Sequence, residues 1–499
     1  MTPRAGALSL FCLIAGLLLA LDPTSAHAQS GTIGLNFTGV TLADGRSFNG
    51  NVPYYPPDSD GAVGPNNIVE LINGAYAVYD KTTGQQQQLT SASTFWSSAG
   101  VTIDPTDIYG LGVFNNRVLY DPVSQHWFAA AVTTDNVNNS LLVARSNTSN
   151  PADGWKAVSF VAGTPETGAF ADFTRLGINA DGIYIGVTNF TTGDSTGVDG
   201  DSLFSIPKAD LLLAHPSLAR MSSFIGVDTE VLGSVPQPII NFTGSGHAPV
   251  LGTLTSNNGA PVIYRADIVG GSAANAQIAN GAFINTQSYL PPPNAAQPAG
   301  MRNIGTLDTR FGANAYQVGN IIYAAHSVGF GVNSAVEWFT INEATNVVIQ
   351  QGLLSNANYD YFQPAIAVNA KGDVVMTFTR SGFGADGNLS EYAVIGKSID
   401  GTITFGDPFL LVASLTGDFN PPTAVYPLLR WGDYMTLQVD PNNPNVFWAF
   451  GQYATDYQTW ATQITQITVP EPSSVILSAF ALAALLLAAW RRRSRHSAT

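Results

Sequence analysis

The sequence predicts an all-β fold, most simply a single β-propeller of seven blades, with six blades as an alternative. Turn-forming residues recur between paired apolar runs along the body of the chain, and helical periodicity is missing outside its two ends. The composition agrees with this, because 45% of the 499 residues are hydrophobic and only 11% are charged. Such a balance argues against a disordered chain and against a charged coiled coil.

The N-terminus predicts a secretory signal peptide. Arg4 supplies a positive start, an apolar stretch covers 8–21, and Ala26 and Ala28 frame a small-x-small cleavage site. The alternative, a buried core helix, would have nothing to cap it at this end of the chain. The single cysteine, Cys12, lies inside the segment, so the mature chain has neither disulfides nor thiolate chemistry.

Seven hairpins divide the body of the chain. In each, an apolar strand leads through Asp, Asn, Gly or Pro into a second apolar strand, as in 117–120, 121–124 and 126–132. The turns lie near positions 66, 122, 181, 257, 319, 371 and 441. Their spacing approaches the ~40–50 residues of propeller blades once loop insertions are allowed. The alternatives are a β-helix or two β-sandwiches joined by a linker at 272–300.

The C-terminus carries the most specific pattern. A proline-rich motif precedes an apolar run at 475–490 that is slightly shorter than the ~20 residues of a full membrane span, and an arginine cluster follows. The residues of the pattern are Val469, Pro470, Glu471 and Pro472 in the motif and Arg491, Arg492 and Arg493 in the cluster. The arginines would hold the end of the run in the cytoplasm.

This order of motif, apolar helix and arginines resembles the PEP-CTERM sorting signal of Gram-negative bacteria. The resemblance implies an exosortase-type membrane enzyme that recognises and removes the tail. It also implies a transient membrane anchor, followed by delivery to the cell surface or the exopolysaccharide matrix. The alternative is a permanent single-span anchor.

The charge of the chain limits its partners. With 20 basic and 35 acidic residues the net charge is −15, and the body without the two ends keeps 15 basic and 33 acidic residues, or −18. Nucleic acid is therefore excluded as a partner, because its phosphates require a basic face. The predicted organisation is a signal peptide at 1–28, an N-terminal segment at 29–55, a propeller at 56–468 and a sorting signal at 469–499.

Four stretches of the body resemble a family of secreted bacterial β-propeller proteins. They are 57–66, 117–122, 150–155 and 430–434, and the likeness covers roughly 50–470. The resemblance implies the propeller fold. Some members of the family are described as sialidase-like, but a shared fold does not imply a shared activity.

Polar residues just ahead of the first strand of successive repeats form the candidate site. In a propeller these positions reach the mouth of the central channel, where ligands usually bind. A sialidase needs arginines for the substrate carboxylate, a tyrosine nucleophile beside a carboxylate, and an acid/base carboxylate. The candidates for these roles are Arg175, Arg310 and Arg430, Tyr361 or Tyr434, and Asp433.

The alternative interpretation favours a non-enzymatic protein. Arginines and aspartates could pair between neighbouring blades and close the ring, because buried charges need partners in any fold. We favour this interpretation, which predicts a module that binds envelope or matrix glycans or proteins, or a purely architectural matrix component.

A structural Ca²⁺ is the remaining cofactor prediction. Asp58 and Asp60, with Asn66, Asp104 and Asp107, supply hard oxygen ligands at alternate loop positions. The alternative is that these side chains only form hydrogen-bonded turns with the backbone. The sequence has no Cys/His cluster or HExxH motif, so catalytic zinc is not expected.

Overall fold

The structure, a computed structural model, describes residues 31–103, 112–133, 139–164, 166–191, 198–254, 261–298, 302–422 and 428–470. Its strands form seven antiparallel sheets that follow one another along the chain, which is the seven-bladed propeller that the hairpins predict. We number the blades 1 to 7 in the order of their inner strands.

The described chain begins with β1 (Thr32–Thr41). Blade 1 contains β2 (Gly61–Val63), β3 (Asn67–Ile72), β4 (Ala75–Asp80) and β5 (Gln86–Thr90). Blade 2 contains β6 (Val113–Asp121), β7 (His126–Thr133), β8 (Ser140–Ser146) and β9 (Trp155–Val161). Blade 3 contains β10 (Ala169–Ile178), β11 (Gly182–Thr191), β12 (Val198–Pro207) and β13 (Ser222–Val227). Blade 4 contains β14 (Ser234–Pro238), β15 (His247–Thr253), β16 (Val262–Val269) and β17 (Gln277–Asn285).

A short strand, β18 (Ile304–Gly305), precedes blade 5. Blade 5 contains β19 (Tyr316–Val318), β20 (Ile321–Phe330), β21 (Asn333–Asn342) and β22 (Val347–Leu354). Blade 6 contains β23 (Asp360–Val368), β24 (Asp373–Ser381), β25 (Ser390–Ile399), β26 (Thr402–Phe405) and β27 (Phe409–Ala413). After β28 (Leu429–Arg430), which pairs in parallel with β18, blade 7 contains β29 (Thr436–Val439), β30 (Val446–Asp456) and β31 (Thr459–Thr468).

The two ends of the propeller meet in blade 7. There β1 is the outer strand and pairs antiparallel with β31, from Thr32 opposite Thr468 to Thr41 opposite Ala461. The N-terminal segment thus completes a sheet whose other three strands come from the end of the chain. This pairing closes the ring and removes the free sheet edges that an open array would leave.

The described helices are short. They are α1 (Leu42–Phe48), α2 (Ala92–Ser98), α3 (Lys208–Leu211) and α4 (Thr229–Leu232). Three of them lie in connections between blades, and the one at Lys208–Leu211 lies inside blade 3, between β12 and β13. At the start of α1 the Thr41 hydroxyl accepts from the Asp44 amide while the Asp44 carboxylate accepts from the Thr41 amide, a capping box that follows directly on β1. Among these helices none is long and apolar enough to cross a membrane. The predicted signal segment and the apolar tail lie outside the described residues.

Six of the seven predicted turns lie between the first and second strands of a blade. The seventh, near 257, falls between β15 and β16, the antiparallel second and third strands of blade 4, and its residues lie outside the described part of the chain. The inner turn of blade 4 instead follows β14, at 239–246. Pro236 and Pro238 make β14 difficult to recognise from the sequence. Proline has no backbone N–H to donate to a neighbouring strand, so it argues against a strand. The two-sandwich alternative is also wrong, because the expected linker contains β17 of blade 4.

The core is packed with aromatic and branched side chains between the sheets. The seven tryptophans of the body are all buried: Trp96, Trp127, Trp155, Trp338, Trp431, Trp448 and Trp460. They act as core residues and not as exposed platforms for sugars. His326 is buried as well and hydrogen-bonds through Nε2 to Glu337 at 2.9 Å, so it is a core histidine whose polar atoms are paired.

Candidate functional site

The inner strands share a local irregularity that sends side chains toward the axis of the ring. Four of them carry a bulge with a non-glycine residue at positive φ: Asn115 in β6, Phe173 in β10, Val235 in β14 and Gln363 in β23. Asp58, just ahead of β2, has the same conformation. A bulge changes the direction of the side chains that follow it and is common next to functional sites.

Arg117 occupies the axis. It lies two residues after Asn115, and its Nη1 donates to Asp60 of blade 1 at 3.1 Å. Its Nε donates to the Thr174 carbonyl of blade 3, and its Nη2 donates to the Gly312 carbonyl ahead of blade 5. Its guanidinium also lies 3.2 Å above the centre of the Tyr434 ring, ahead of blade 7. One side chain that touches segments from four other parts of the ring must lie at its centre.

Two further ion pairs lie nearer the solvent. Arg310 binds Asp308 through two hydrogen bonds of 2.7 and 2.5 Å and stacks on the Phe173 ring at 3.9 Å. Arg430 pairs with Asp433. The Arg430 side chain keeps 26% of its surface exposed, against 2% for Arg117, so the cluster opens on the end of the ring where each blade's last strand leads to the next blade.

The remaining carboxylates of the cluster are held by neutral donors. Asp58 accepts from the Asp433 amide at 2.8 Å and from the Asn73 side chain at 2.9 Å. Asp172 accepts from the Asn115 side chain and from the Phe173 amide. These side chains, together with the three ion pairs and Arg175, form what we call the axial cluster.

Burial dominates the protonation of the acidic groups in this cluster. It raises the pKa of Asp60 to about 6, although the Arg117 guanidinium opposes the rise. Burial likewise raises the pKa of Asp172 to about 6. For Asp58, burial and then the neighbouring Asp433 carboxylate raise the pKa well above its ordinary value.

The structure brings together the three arginines that the sequence singles out. Arg175, Arg310 and Arg430 all belong to the axial cluster. The charge of Arg310 contributes to lowering the pKa of Arg175, and the charges of Arg430 and Arg310 both act to lower the pKa of Asp172. Asp433 lies among them as the partner of Arg430.

The two candidate tyrosines lie in different surroundings. Tyr361 packs against the Phe378 ring at 4.6 Å and stands opposite Arg380 in the sheet, and neither of these residues belongs to the axial cluster. Tyr434 is in the cluster, but its hydroxyl donates to the Asn116 carbonyl at 3.0 Å, and burial raises its pKa well above the ordinary value. Among the described residues, therefore, neither hydroxyl has the carboxylate partner that would activate a tyrosine nucleophile.

Asp58 and Asp60, the predicted calcium ligands, lie side by side in the axial cluster. Their oxygens already accept from N–H groups, and Asp60 faces a guanidinium, which is a poor neighbour for a divalent cation. Asp104 and Asp107 lie outside the described residues. Among the described residues no group of three or more His, Cys, Asp or Glu side chains is placed to hold a metal. The calcium site stays a prediction.

The sequence pattern did not identify Arg117 as a candidate site residue. Its position inside an apolar strand, 113–121, is the signal that could have found it, because a charged residue in the middle of a buried strand needs a buried partner. Of the sorting residues, Val469 and Pro470 are described, and the Val469 amide donates to the Asn445 carbonyl at 2.8 Å. Ala26, Ala28, Glu471, Pro472 and the arginines at 491–493 lie outside the described part of the chain.

Comparison with known proteins identifies the end of the chain. Residues 468–493 match the PEP-CTERM protein-sorting motif. This motif indicates export and a location on the surface or outside the cell, and it implies processing by an exosortase-type enzyme. No curated protein matches the chain.

Solved structures with some likeness to the chain come from very different proteins. Extracellular domains 1-2 of Drosophila Semaphorin 1a share 10% identity over 89% of each chain, with a TM-score of 0.38. A protein of unknown function from Dyadobacter fermentans shares 10% identity over 72% of this chain and 95% of its own, with a TM-score of 0.30. Bacteroides ovatus Xyloglucan PUL GH43B shares 10% identity over 60% of this chain and 53% of its own, with a TM-score of 0.28. Scores this low carry no argument about function.

Proposed function

We propose that this exported protein, which carries a PEP-CTERM sorting motif behind a seven-bladed propeller, is a non-enzymatic binding module of the cell surface or extracellular matrix. In this proposal an exosortase-type enzyme removes the tail after a transient stay in the membrane. The propeller then binds neutral glycans or proteins of the envelope or matrix. Anionic polymers are disfavoured as ligands because the body carries a net charge of −18.

The observation that carries the proposal is the internal pairing of the axial cluster. Arg117, Arg310 and Arg430 each bind a carboxylate of the chain itself. A sialidase would need such arginines free for the substrate carboxylate, and a tyrosine beside a carboxylate. Of these three pairs Arg117–Asp60 joins two blades, whereas Arg310–Asp308 and Arg430–Asp433 each lie within one segment. The paired charges support a structural role over the binding of a substrate carboxylate.

Exposed apolar side chains on the open end of the ring support a binding role. Val332 lies at the β20–β21 turn, Phe383 at the β24–β25 loop and Leu415 after β27, and their exposed fractions are 87%, 79% and 74%. In an antiparallel blade these connections share the end at which the axial cluster opens. Large apolar groups exposed on one face often mark a site of interaction.

A binding assay tests the proposal. The exported protein is applied to purified exopolysaccharide and to a panel of neutral oligosaccharides, beside the double variant Phe383→Ser, Leu415→Ser. We expect binding by the wild type and at least a tenfold weaker signal from the variant. Phe283→Ser is the matched control, because Phe283 is 64% exposed on β17, at the outer edge of blade 4. Absence of wild-type binding to every glycan and to envelope protein extracts would favour a purely architectural component.

The second candidate function is a sialidase-like glycoside hydrolase. It is favoured by the convergence of Arg175, Arg310 and Arg430 in one cluster beside Asp433. A panel of fluorogenic sialosides decides the matter, with wild type beside Tyr361→Phe and Tyr434→Phe. Turnover that either substitution abolishes would establish the hydrolase and overturn the binding module, whereas complete inactivity of the wild type would support the binding module.

A further inference from the structure

The C-terminal tail leaves the ring at the end that lies opposite the axial cluster. β31 runs antiparallel to β30, so its last residue, Thr468, stands beside Val446 at the start of β30, directly after the inner turn of blade 7. The first strand of each blade begins at the open end and runs away from it, so the inner turns of all seven blades lie at the opposite end. We call this face of the ring the turn end.

The point of exit is fixed by contacts within the turn end. The Val469 amide donates to the Asn445 carbonyl at 2.8 Å, and Val469 is 2% exposed and packs in the core. The inner turn of blade 7 is joined to that of blade 6, where the Asn369 side chain donates to the Pro444 carbonyl at 2.6 Å. The chain is therefore held to the ring up to the first residue of the sorting motif.

The connection from the ring to the apolar run is short. Only the four residues 471–474 separate Pro470 from the apolar run at 475–490. Fully extended, the chain from Pro470 to Val475 reaches at most ~18 Å. The ten residues of β31 separate the two ends of the ring by ~30 Å. The connection is too short to let the open end lie on a bilayer that contains the apolar run.

We infer that, while the tail is in the membrane, the turn end of the ring faces the lipid bilayer and the open end points away from it. This inference rests on the proposed function, because it needs the stay in the membrane that precedes removal of the tail. Attraction to the lipids does not hold the ring there, since the body carries a net charge of −18 and an anionic lipid surface repels it. The short connection sets the orientation.

The orientation has a consequence for each end of the ring. The axial cluster and the exposed side chains of Val332 and Phe383 are accessible to a ligand before the tail is removed. The enzyme that removes the tail works in the narrow space between the turn end and the bilayer.

Energy transfer from single labels to the lipid surface tests the orientation. Ala370→Cys lies in the inner turn of blade 6, Ala180→Cys in the inner turn of blade 3, and Ala385→Cys in the β24–β25 loop at the open end of blade 6. All three alanines are exposed, and the body has no cysteine of its own, so each variant carries one donor fluorophore. The full chain, exported from a host without an exosortase-type enzyme, is added to preformed vesicles of phosphatidylethanolamine and phosphatidylglycerol that carry an acceptor on their headgroups.

We expect the transfer from positions 370 and 180 to be at least twofold greater than that from position 385. Positions 370 and 385 form a matched pair, because both belong to blade 6 and differ in the end of the ring on which they lie. Equal transfer from these two positions, or greater transfer from position 385, would overturn the inference. Strong transfer from both of them with weak transfer from position 180 would place the ring on its side and would overturn it as well.

Flotation of the vesicles separates a failure of the inference from a failure of the proposed function. The full chain should float with the vesicles, and a variant that ends at Pro470 should stay behind. A full chain that stays behind would refute the stay in the membrane and the inference with it. A full chain that floats but shows the greater transfer from position 385 would refute the orientation alone.

A longer connection tests the physical cause. Twenty Gly and Ser residues inserted between Ser474 and Val475 give the connection a root-mean-square span of ~25 Å and a reach well beyond the height of the ring. The difference in transfer between positions 370 and 385 should then fall to less than half. An unchanged difference would show that the short connection does not orient the ring and would contradict the argument.

Discussion

Replacing Glu391 with glutamine should make the protein more resistant to alkaline pH. Glu391 lies on β25 with 1% of its surface exposed, and within the described residues neither of its carboxylate oxygens has a hydrogen-bond donor. It faces blade 7, where a Cβ added at Gly451 would lie 2.2 Å from its Oε2. Burial alone raises its pKa from 4.5 to about 8.

The size of the effect follows from the difference between the two pKa values. Between pH 4.5 and 8 the native protein keeps a proton on Glu391 that the unfolded chain releases, so the free energy of unfolding falls as the pH rises. The slope approaches ~1.4 kcal/mol per pH unit, which amounts to roughly 3 to 4 kcal/mol between pH 5 and 8. Above pH 8 both states are deprotonated and the loss is complete.

Urea denaturation at pH 5, 7, 8 and 9 measures this effect. The free energy of unfolding of Glu391→Gln, relative to that of the wild type, should rise from pH 5 to pH 8 and then level off. Glu166→Gln, at an exposed position, controls for the change in net charge and should show no such trend. A constant difference between Glu391→Gln and the wild type at all four pH values would refute the reasoning.

Three further predictions concern closure, charge and sorting. Deleting 31–41 removes β1 and leaves β31 as an open edge, so the melting temperature should fall by more than 10 °C in circular dichroism, roughly the loss of several kcal/mol. Arg117→Met leaves the Asp60 carboxylate buried without its ion pair and should cost ~3–5 kcal/mol in urea denaturation, a loss that the added change Asp60→Leu partly restores. Neutral residues at 491–493 should misroute the protein, and unchanged surface labelling would count against the sorting assignment.

Local signals account for the part of the fold that the sequence predicts. Asp, Asn and Gly mark the tight turns between the first two strands of six blades, so the blade count follows from short-range patterns. Such patterns cannot reveal β1, because its partner at Thr468 is more than 400 residues away and its own stretch is short and half polar. They also miss β14, where two prolines interrupt the strand pattern.

The candidate site is likewise predictable from the sequence only in part. The position of Arg175, Arg310 and Arg430 ahead of or within the first strands is enough to place them near the axis. The choice between Tyr361 and Tyr434 depends on register, since a shift of one residue turns a side chain to the opposite face of the sheet. The bulges that set this register use residues such as Phe173 and Val235 at positive φ, where a sequence pattern leads one to expect glycine.

Several basic residues of the body join one blade to the next. Lys81 of blade 1 binds Asp440 of blade 7, and Lys208, which lies between β12 and β13 of blade 3, binds Asp121 of blade 2, both at 2.9 Å. Arg265 and Glu343 join blades 4 and 5 in the same way. These pairs place opposite charges together at the contacts between blades. Arg145 of blade 2 instead donates to the carbonyls of Leu211 and Leu213 in blade 3, so neutral acceptors also satisfy a buried cation between blades.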